Sequence, residues 1–228
     1  MSRTIFITGT DTGVGKTRIA QALLHRIRSE GHSAAGFKPV ASGAQRTALG
    51  LRNDDALALQ AASTPGLRYE EVNPCCFEPA IAPHLAAREA GVEIDLSALD
   101  AAHEHLARRH DWVVVEGAGG WLVPLNPQHG FADWVGGQGW PVILVVAMRL
   151  GCINHALLSA EAIQRRTRLL GWVANLLPPV QERWRDNVDS LRARLPAPLL
   201  ATVPTGATAA EIATLIDWTA IDSPAPDS

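Results

Sequence analysis

The sequence lacks most of what would place a chain outside the cell, in a membrane or on a nucleic acid. Its 228 residues hold three cysteines, of which Cys75 and Cys76 are adjacent and Cys152 stands alone. Neither a disulfide framework nor a metal-ligand spacing can be built from them, so reduced, structural thiols are expected. No stretch approaches the roughly 18 to 20 uninterrupted apolar residues of a membrane span. The apolar run at the N-terminus is short and leads into a glycine loop, not a cleavage signal, so a cytoplasmic protein with no membrane partner is expected. Charge of neither sign dominates. Charged residues make up 19%, hydrophobic residues 47%, and the formal net charge is −3, which leaves no basic surface for nucleic acid. No internal repeat or linker divides the chain. It reads as a single domain over residues 1–228 with one continuous core, ending in a frayed tail at 222–228, "DSPAPDS".

Short runs rich in valine, isoleucine and leucine alternate with longer amphipathic stretches. That alternation predicts an α/β fold of three layers, a mostly parallel central sheet with helices on both faces. Strands are expected near 3–8, 33–38, 112–116, 141–147, 171–175 and 199–203, and most are apolar enough on both faces to lie inside the sheet. Apolar residues at three-to-four spacing predict helices over 16–29, 95–109, 153–167 and 181–194. The loops after Thr8, Lys38, Glu116 and Ala147 then fall at the carboxyl ends of strands, where open α/β sheets bind ligands.

The first of these loops, "GTDTGVGKT" at 9–17, is one glycine short of a Walker A loop. The pattern G-x-x-x-x-G-K-[ST] requires glycine where Thr10 stands, and Gly9 comes one place early. Its chemical requirements are nevertheless present. Gly13 and Gly15, with Val14 between them, let backbone N–H groups turn toward an anion. Lys16 reaches terminal phosphates, and Thr17 offers a hydroxyl to Mg²⁺. A helix beginning here adds its positive end to the same anion. The loop variant with a second lysine five places before the loop lysine is excluded, because Asp11 stands there.

Carboxylates for a metal come from two places. Glu116 ends the apolar run "WVVVE" before "GAGG", in the manner of a Walker B acid. Asp54 and Asp55 precede an alanine- and leucine-rich helix. An N-cap role accounts for one of the two, and spacing alone does not decide which turns to a metal. Lys38 closes the second strand before "PVASG", where it adds a cation beside the phosphate loop.

Together these residues resemble the dethiobiotin synthetase family. The likeness rests on "GTDTGVGKT", "GFKPVASG", "NDDALAL", "VNPCCFEPAIAPHLAA", "VVVEGAGGWLVPL", "RLGCINHALLSAEAI", "GWVAN" and "PAPLL", which occur in family order across about residues 4–205. The resemblance implies a P-loop NTPase fold and a homodimer with a Mg-ATP site in each subunit. It further implies the closure of 7,8-diaminopelargonate and CO2 or bicarbonate into a cyclic urea at the expense of ATP, by way of a carbamate and a carbamic-phosphoric anhydride. Carried over by residue, it makes Lys16 and Lys38 the catalytic cations. Asp11, Thr12, Gly13, Val14, Gly15, Lys16, Thr17 and Glu116 would surround the ATP phosphates, and Thr17, Asp55 and Glu116 would bind Mg²⁺. Asn175, Pro204 and Glu211 would lie about the adenine. The diamine end would meet Thr12, Lys38, Ser42 and Gly119, and the substrate carboxylate Leu150, Gly151, Cys152, Ile153 and Asn154 of the partner subunit. The chain departs from the family at Gly13, where an acidic residue is usual, and at Asn187, where a tyrosine is.

Two rival readings have less behind them. A related ATP-dependent carboxylase or amidoligase would use the same parts on another acid or diamine. A regulatory P-loop switch is disfavoured by Asp11, by the lack of an amphipathic membrane helix, and by the presence of Lys38 and "LGCINHALL". His103, His105 and His110 are expected on a solvated helix face. Trp112, Trp121, Trp134, Trp140 and Trp172 are expected in the core or an interface, with Trp121 near enough to "GAGG" to wall the site.

Overall fold

Valine and isoleucine suit a pleated surface packed on both sides, and the chain's runs of them become its strands. The computed structural model describes residues 2–222. In chain order it comprises β1 (Arg3–Gly9), α1 (Lys16–Ser29), β2 (Ala34–Phe37), β3 (Val40–Ala41), β4 (Gln45–Thr47), β5 (Gly50–Arg52), α2 (Asp54–Ala62), α3 (Tyr69–Val72), β6 (Cys75–Cys76) and α4 (Pro83–Glu89). There follow α5 (Leu96–Ala107), β7 (Trp112–Glu116), α6 (Phe131–Gln138), β8 (Val142–Ala147), α7 (Cys152–Gln164), β9 (Leu169–Asn175), α8 (Trp184–Arg192), β10 (Leu199–Val203), α9 (Ala209–Leu215) and α10 (Trp218–Asp222).

The central sheet has six strands in the order β10-β9-β8-β1-β7-β2, and every neighbouring pair is parallel. The first strand therefore lies inside the sheet, between β7 and β8. Its register places Ile7 beside Glu116 and Gly9 beside Val145, so the loop after β1 emerges next to the end of β7. Right-handed crossovers send the chain in opposite directions from β1 to β2 and from β8 to β9, which sets α1 and α7 on opposite faces. On its face α1 packs with α2 and α9, while α7 packs on β8 and β9 beside α8. Its buried stripe is Ile19, Ala20, Leu23, Leu24 and Ile27. One cluster of buried apolar residues runs from Ile5 to Ile221 through both sides of the sheet.

The predicted helix over 16–29 coincides with α1, but the other predicted ends shorten: 153–167 becomes Cys152–Gln164 and 181–194 becomes Trp184–Arg192. The short strands β3 to β6 and the helices α3, α4, α6, α9 and α10 went unpredicted, and two of them show why. The segment "FADWVGGQ" carries two glycines, which weaken a helix locally, yet burial of Phe131, Ala132, Trp134 and Val135 makes it α6. Pro83 opens α4, where its missing N–H costs nothing. Asp222, counted with the tail, belongs to α10 and its carboxylate pairs with Arg3 at 2.6 Å; the rest of that tail, 223–228, lies outside the described residues.

His103 reverses its expectation. It is 8% exposed, packs 4.3 Å from the Trp140 ring, and its Nε2 lies 2.9 Å from Thr4 Oγ1. Helical spacing placed it beside charged neighbours, but the face it occupies is turned to the sheet. His105 is exposed and meets Glu71. The five tryptophans lie in the core, and Trp121, edge-on to Phe6 at 6.0 Å, does not line the cleft at the strand ends. Among the described residues no helix is long and apolar enough to cross a membrane.

Candidate functional site

The loop between β1 and α1 turns on two left-handed glycines, Gly13 at φ 71° and Gly15 at φ 95°. A side chain at Gly15 would be strained by that backbone, and its Cβ would lie 2.3 Å from the Asn175 amide nitrogen. The early glycine, Gly9, has its own reason: a Cβ there would stand 2.4 Å from Val14 Cγ2. Val14 is fully buried, and its carbonyl accepts from Asn175 Nδ2 at 2.8 Å. The loop is thus anchored through Val14, which explains how it keeps its turn without glycine at position 10.

Around this loop the strand ends open a cleft of about 730 Å³. Its wall includes Thr12, Gly13, Gly15, Lys16, Thr17, Lys38, Ser42, Asp55, Glu116 and Gly119. Ten residues predicted from the sequence, drawn from three strand-end loops and the first turn of α2, therefore share one space. A second cavity, of about 590 Å³, lies at the amino edge of the sheet between Thr4, His103, Trp112 and Trp140, and holds none of the loop residues.

The floor of the cleft is an ion cluster in which Lys38 and Glu116 are buried and Asp55 is half-exposed. Lys38, 4% exposed, donates to Glu116 Oε1 at 2.8 Å and to Asp55 Oδ2 at 3.0 Å, and its Nζ lies 3.3 Å from the Gly117 carbonyl. Thr17 Oγ1 donates to the same Glu116 Oε1 at 2.8 Å. Burial disfavours the Lys38 ammonium, but Glu116 and Asp55 together outweigh it and raise its pKa above the free value. Glu116 is raised chiefly by burial, with Lys38 opposing. Asp55 feels burial too, yet Lys38 and the Thr17 hydroxyl bring it below the ordinary carboxylate value. Lys16 is lowered by burial and by the like charge of Lys38. Its Nζ is held for now by the Asp11 carbonyl at 3.1 Å.

Two carboxylates and a hydroxyl make a hard oxygen set suited to Mg²⁺, which takes few protein ligands beside phosphate oxygens and water. Glu116 Oε2 is buried without a partner, an acceptor left over after Lys38 and Thr17 are served. Among the described residues no group of three or more His, Cys, Asp or Glu forms a fuller metal cage.

The N-cap expectation needs correcting. The cap of α2 is Asn53, whose Oδ1 accepts from Ala56 N at 3.2 Å, so capping uses neither aspartate and both stand in the first turn. Asn53 also lines the cleft, as do Ala80, Pro83 and Val123, none of which sequence reasoning had placed there. Asparagine one residue before an acidic pair, at the head of an apolar helix, was the available signal.

The remaining predicted residues lie apart from this floor. Asn175 is fully buried behind the loop, and its Oδ1 has no partner. Pro204 is exposed, and its carbonyl lies 3.4 Å from an Arg18 nitrogen. Glu211 closes a capping box with Thr208, accepting its N–H at 2.7 Å, so its carboxylate is already engaged. Ser42 Oγ, by contrast, is buried and unpaired. From Leu150 to Asn154 the chain starts α7 through Gly151 at φ 90°. Leu150 is 90% exposed, Cys152 is buried, Ile153 half-buried and Asn154 exposed, and none of the five lines the cleft of its own chain. The link between the two regions is an ion pair from Arg149 to Asp11.

Residues 3–211 match a family described as an AAA domain. The chain is 58% identical over 201 residues to the ATP-dependent dethiobiotin synthetase BioD of Pseudomonas paraeruginosa, covering 87% of this chain and 88% of that one. It is 51% identical to the Yersinia pestis protein of the same name, over 90% of this chain and 85% of that one. For BioD 1 of Escherichia coli O157:H7 the identity is 48%, over 90% and 91%. Among solved structures, MinD of Pyrococcus horikoshii with Mg-ADP superposes with a TM-score of 0.54 at 16% identity, over 90% of this chain and 82% of that one. FtsY of Thermotoga maritima gives 0.51 at 17%, over 92% of this chain but 64% of FtsY. These two likenesses are of fold.

Proposed function

We propose, from the premise that this chain belongs to the ATP-dependent dethiobiotin synthetase family, that its cleft carries out the ATP-driven closure of 7,8-diaminopelargonate to dethiobiotin. The observation that carries the reading is the charged floor, where Lys38 is buried between Glu116 and Asp55 beside the phosphate loop that holds Lys16 and Thr17. In-line phosphoryl transfer needs positioning and charge neutralisation more than a covalent nucleophile, and this site is built of those two elements.

In this reading the N–H groups around Gly13 and Gly15 take the ATP phosphates, and Lys16 leaves the Asp11 carbonyl for the β- and γ-phosphates. Thr17, Asp55 and Glu116 would hold Mg²⁺, which when bound supplies charge neutralisation at the phosphate oxygens. One substrate amine adds to CO2 and loses a proton, giving a carbamate. The carbamate oxygen then attacks the γ-phosphorus and ADP leaves, forming the mixed anhydride. The neighbouring amine attacks the carbonyl carbon, phosphate departs, and loss of a proton leaves the cyclic urea. Lys38 neutralises the carbamate and the phosphoryl group between them, and the unpaired Ser42 hydroxyl orients the amine end. Asn175, whose buried Oδ1 has no partner, would accept from an adenine amino group in this reading.

The substrate carboxylate would be taken by Leu150–Asn154 of a second copy, because in its own chain this segment is outside the cleft. Leu150, Leu122 and Leu158, exposed by 90%, 69% and 59%, supply apolar surface for that homodimer. The reaction belongs in the cytoplasm on this reading. Mass-spectrometric detection of dethiobiotin from 7,8-diaminopelargonate, bicarbonate and Mg-ATP tests it. Hydrolysis of ATP with no dethiobiotin would favour a related carboxylase instead.

A further inference from the structure

Beneath the charged floor lies a buried polar network that no catalytic role yet explains. Tyr69, 6% exposed in α3, accepts the Asn53 N–H at its hydroxyl (2.8 Å) and donates to Asn73 Oδ1 (2.9 Å). Asn73, 3% exposed, spends its amide on two carbonyls, Lys38 at 2.6 Å and Cys75 at 3.1 Å. The Lys38 N–H is held in turn by the Val72 carbonyl at 2.8 Å. On the other side Asn53 caps α2, which carries Asp55, and its amide reaches the Ser42 carbonyl at 3.3 Å. The backbones of Lys38, Ser42 and the start of α2 thus meet through one phenol and two amides. The phenol is protonated at neutral pH, and burial moves its pKa further up. The Arg52 guanidinium stacks 4.2 Å above the ring and fixes its plane.

We infer that Tyr69 and Asn73 are positioning residues for the phosphoryl-transfer site, setting the separation of the Lys38 ammonium from the Asp55 carboxylate without touching either substrate. The segment from Lys38 to Asn53 is otherwise fastened by β3 on β6, by the Gly43 and Ala44 N–H groups on the Pro79 and Phe77 carbonyls, and by the Arg46–Glu78 and Arg52–Glu70 ion pairs. Among the described residues, only the phenol and the two amides join the Lys38 and Ser42 carbonyls to the head of α2. Two buried carbonyls and one buried N–H must find partners in any fold. Here the partners are chosen so that satisfying them also registers two charged side chains 17 residues apart in sequence. Misplacement of a catalytic group by about 1 Å is enough to cost up to about a hundredfold in rate. The phosphate loop stands on β1 and α1, outside the network, so nucleotide binding is not expected to depend on it.

The inference rests on the functional reading above for its kinetic arm, so a second arm is independent of it. Tyr69→Phe keeps the ring and removes the hydroxyl, and Asn73→Ser shortens the bridge. Both are expected to lower kcat about tenfold or more while KM for ATP stays within about twofold. The control is Leu191→Ala in α8, a fully buried site on the opposite face of the sheet, which destabilises without touching the network. It should leave kcat per folded molecule unchanged. In nucleotide-free protein, the Lys38 side-chain ammonium signal in ¹⁵N NMR should shift in Tyr69→Phe and not in Leu191→Ala. Unchanged kcat and an unmoved Lys38 signal would overturn the inference, as would an equal kcat loss in the Leu191 control. A wild-type chain that makes no dethiobiotin, with the Lys38 signal still moving in Tyr69→Phe, would overturn the functional reading and leave the positioning intact. Should neither variant fold, 3-fluorotyrosine at the single tyrosine of the chain gives one ¹⁹F signal in otherwise unaltered protein. That signal should shift when Mg-ADP with aluminium fluoride fills the site, and a fixed signal refutes the coupling.

Discussion

Replacing Lys38 with alanine tests the electrostatics of the cleft at its centre. The ammonium is shared between two acids of very different exposure, since the Asp55 side chain is 44% exposed and the Glu116 side chain 1%. Water can take over the Asp55 carboxylate, so the loss falls on Glu116, which would keep one donor, the Thr17 hydroxyl. Leaving a buried charge without its partner costs about 3–5 kcal/mol, a large part of the about 5–15 kcal/mol that stabilises a domain. Protonation relieves some of that. Burial already raises the Glu116 pKa above 4.5 with Lys38 in place, and without Lys38 it rises further. The folded variant then holds a proton that the unfolded chain releases above about pH 4.5. A raised folded-state pKa stabilises fully below the unfolded value and loses that effect as pH climbs through the folded value. Relative to wild type, the variant should therefore be less impaired at pH 5 than at pH 8, with a difference of up to about 1.4 kcal/mol for each pH unit in between. Urea unfolding of both proteins at pH 5, 6.5 and 8 measures this directly. A destabilisation below about 1 kcal/mol, or one constant across the three pH values, would refute the argument that Lys38 is the counter-charge of Glu116. In the same variant turnover should fall by at least about a thousandfold with ATP affinity kept within a few-fold, and a near-normal kcat would end the role assigned to Lys38.

Lys16→Gln should weaken ATP binding itself by about tenfold or more, measured by calorimetry; unchanged affinity would count against the phosphate-loop reading. Gly15→Ala places a side chain at φ 95° and against the Asn175 amide, so a loss of about 1–3 kcal/mol in stability and a clear drop in nucleotide affinity are expected, and a variant as stable as wild type would mean the loop repacks freely. His103 is held neutral by burial, with a pKa of about 4 against 6.5. A depressed histidine stabilises fully above the unfolded pKa and loses that contribution as pH falls toward the folded one, here by up to about 3 kcal/mol between pH 6.5 and 4. Acid unfolding of His103→Gln should lack that part of the slope, and an unchanged acid midpoint would show that other groups carry it.

What could be read from the chain without coordinates was the chemistry of contiguous stretches. Repeated apolar runs fixed the class of fold, and α1 was legible to the residue because a glycine loop defines its start and an amphipathic stripe its length. Lys16, Thr17 and Glu116 were legible for a similar reason, as each belongs to a strand end or loop whose local pattern restricts its use. Short elements were not. The helix α6 runs against its own glycines and forms because Phe131 and Trp134 are buried, a tertiary effect that overrides propensity. The cap of α2 was assigned to the acidic pair when Asn53 takes it, since three neighbouring residues of capping type look alike in sequence and differ only in backbone geometry. His103 was misplaced because helical spacing gives a face but not what that face meets.

By itself, then, the sequence determined a parallel α/β chain with a phosphate loop, and named the lysines, hydroxyl and acids that such a loop would use. Those statements follow from local periodicity and residue chemistry. Only the tertiary structure decided that Lys38, Asp55 and Glu116 share one ion cluster, that the Glu116 carboxylate keeps an oxygen to spare, and that Tyr69 and Asn73 join the Lys38 backbone to the head of α2. Asp55 and Glu116 come from segments 61 residues apart, and no spacing rule relates them; the parallel register of β1, β2 and β7 brings their ends to one edge. Burial at that edge then converts ordinary charges into a coupled cluster, because charges taken out of water must be answered by one another.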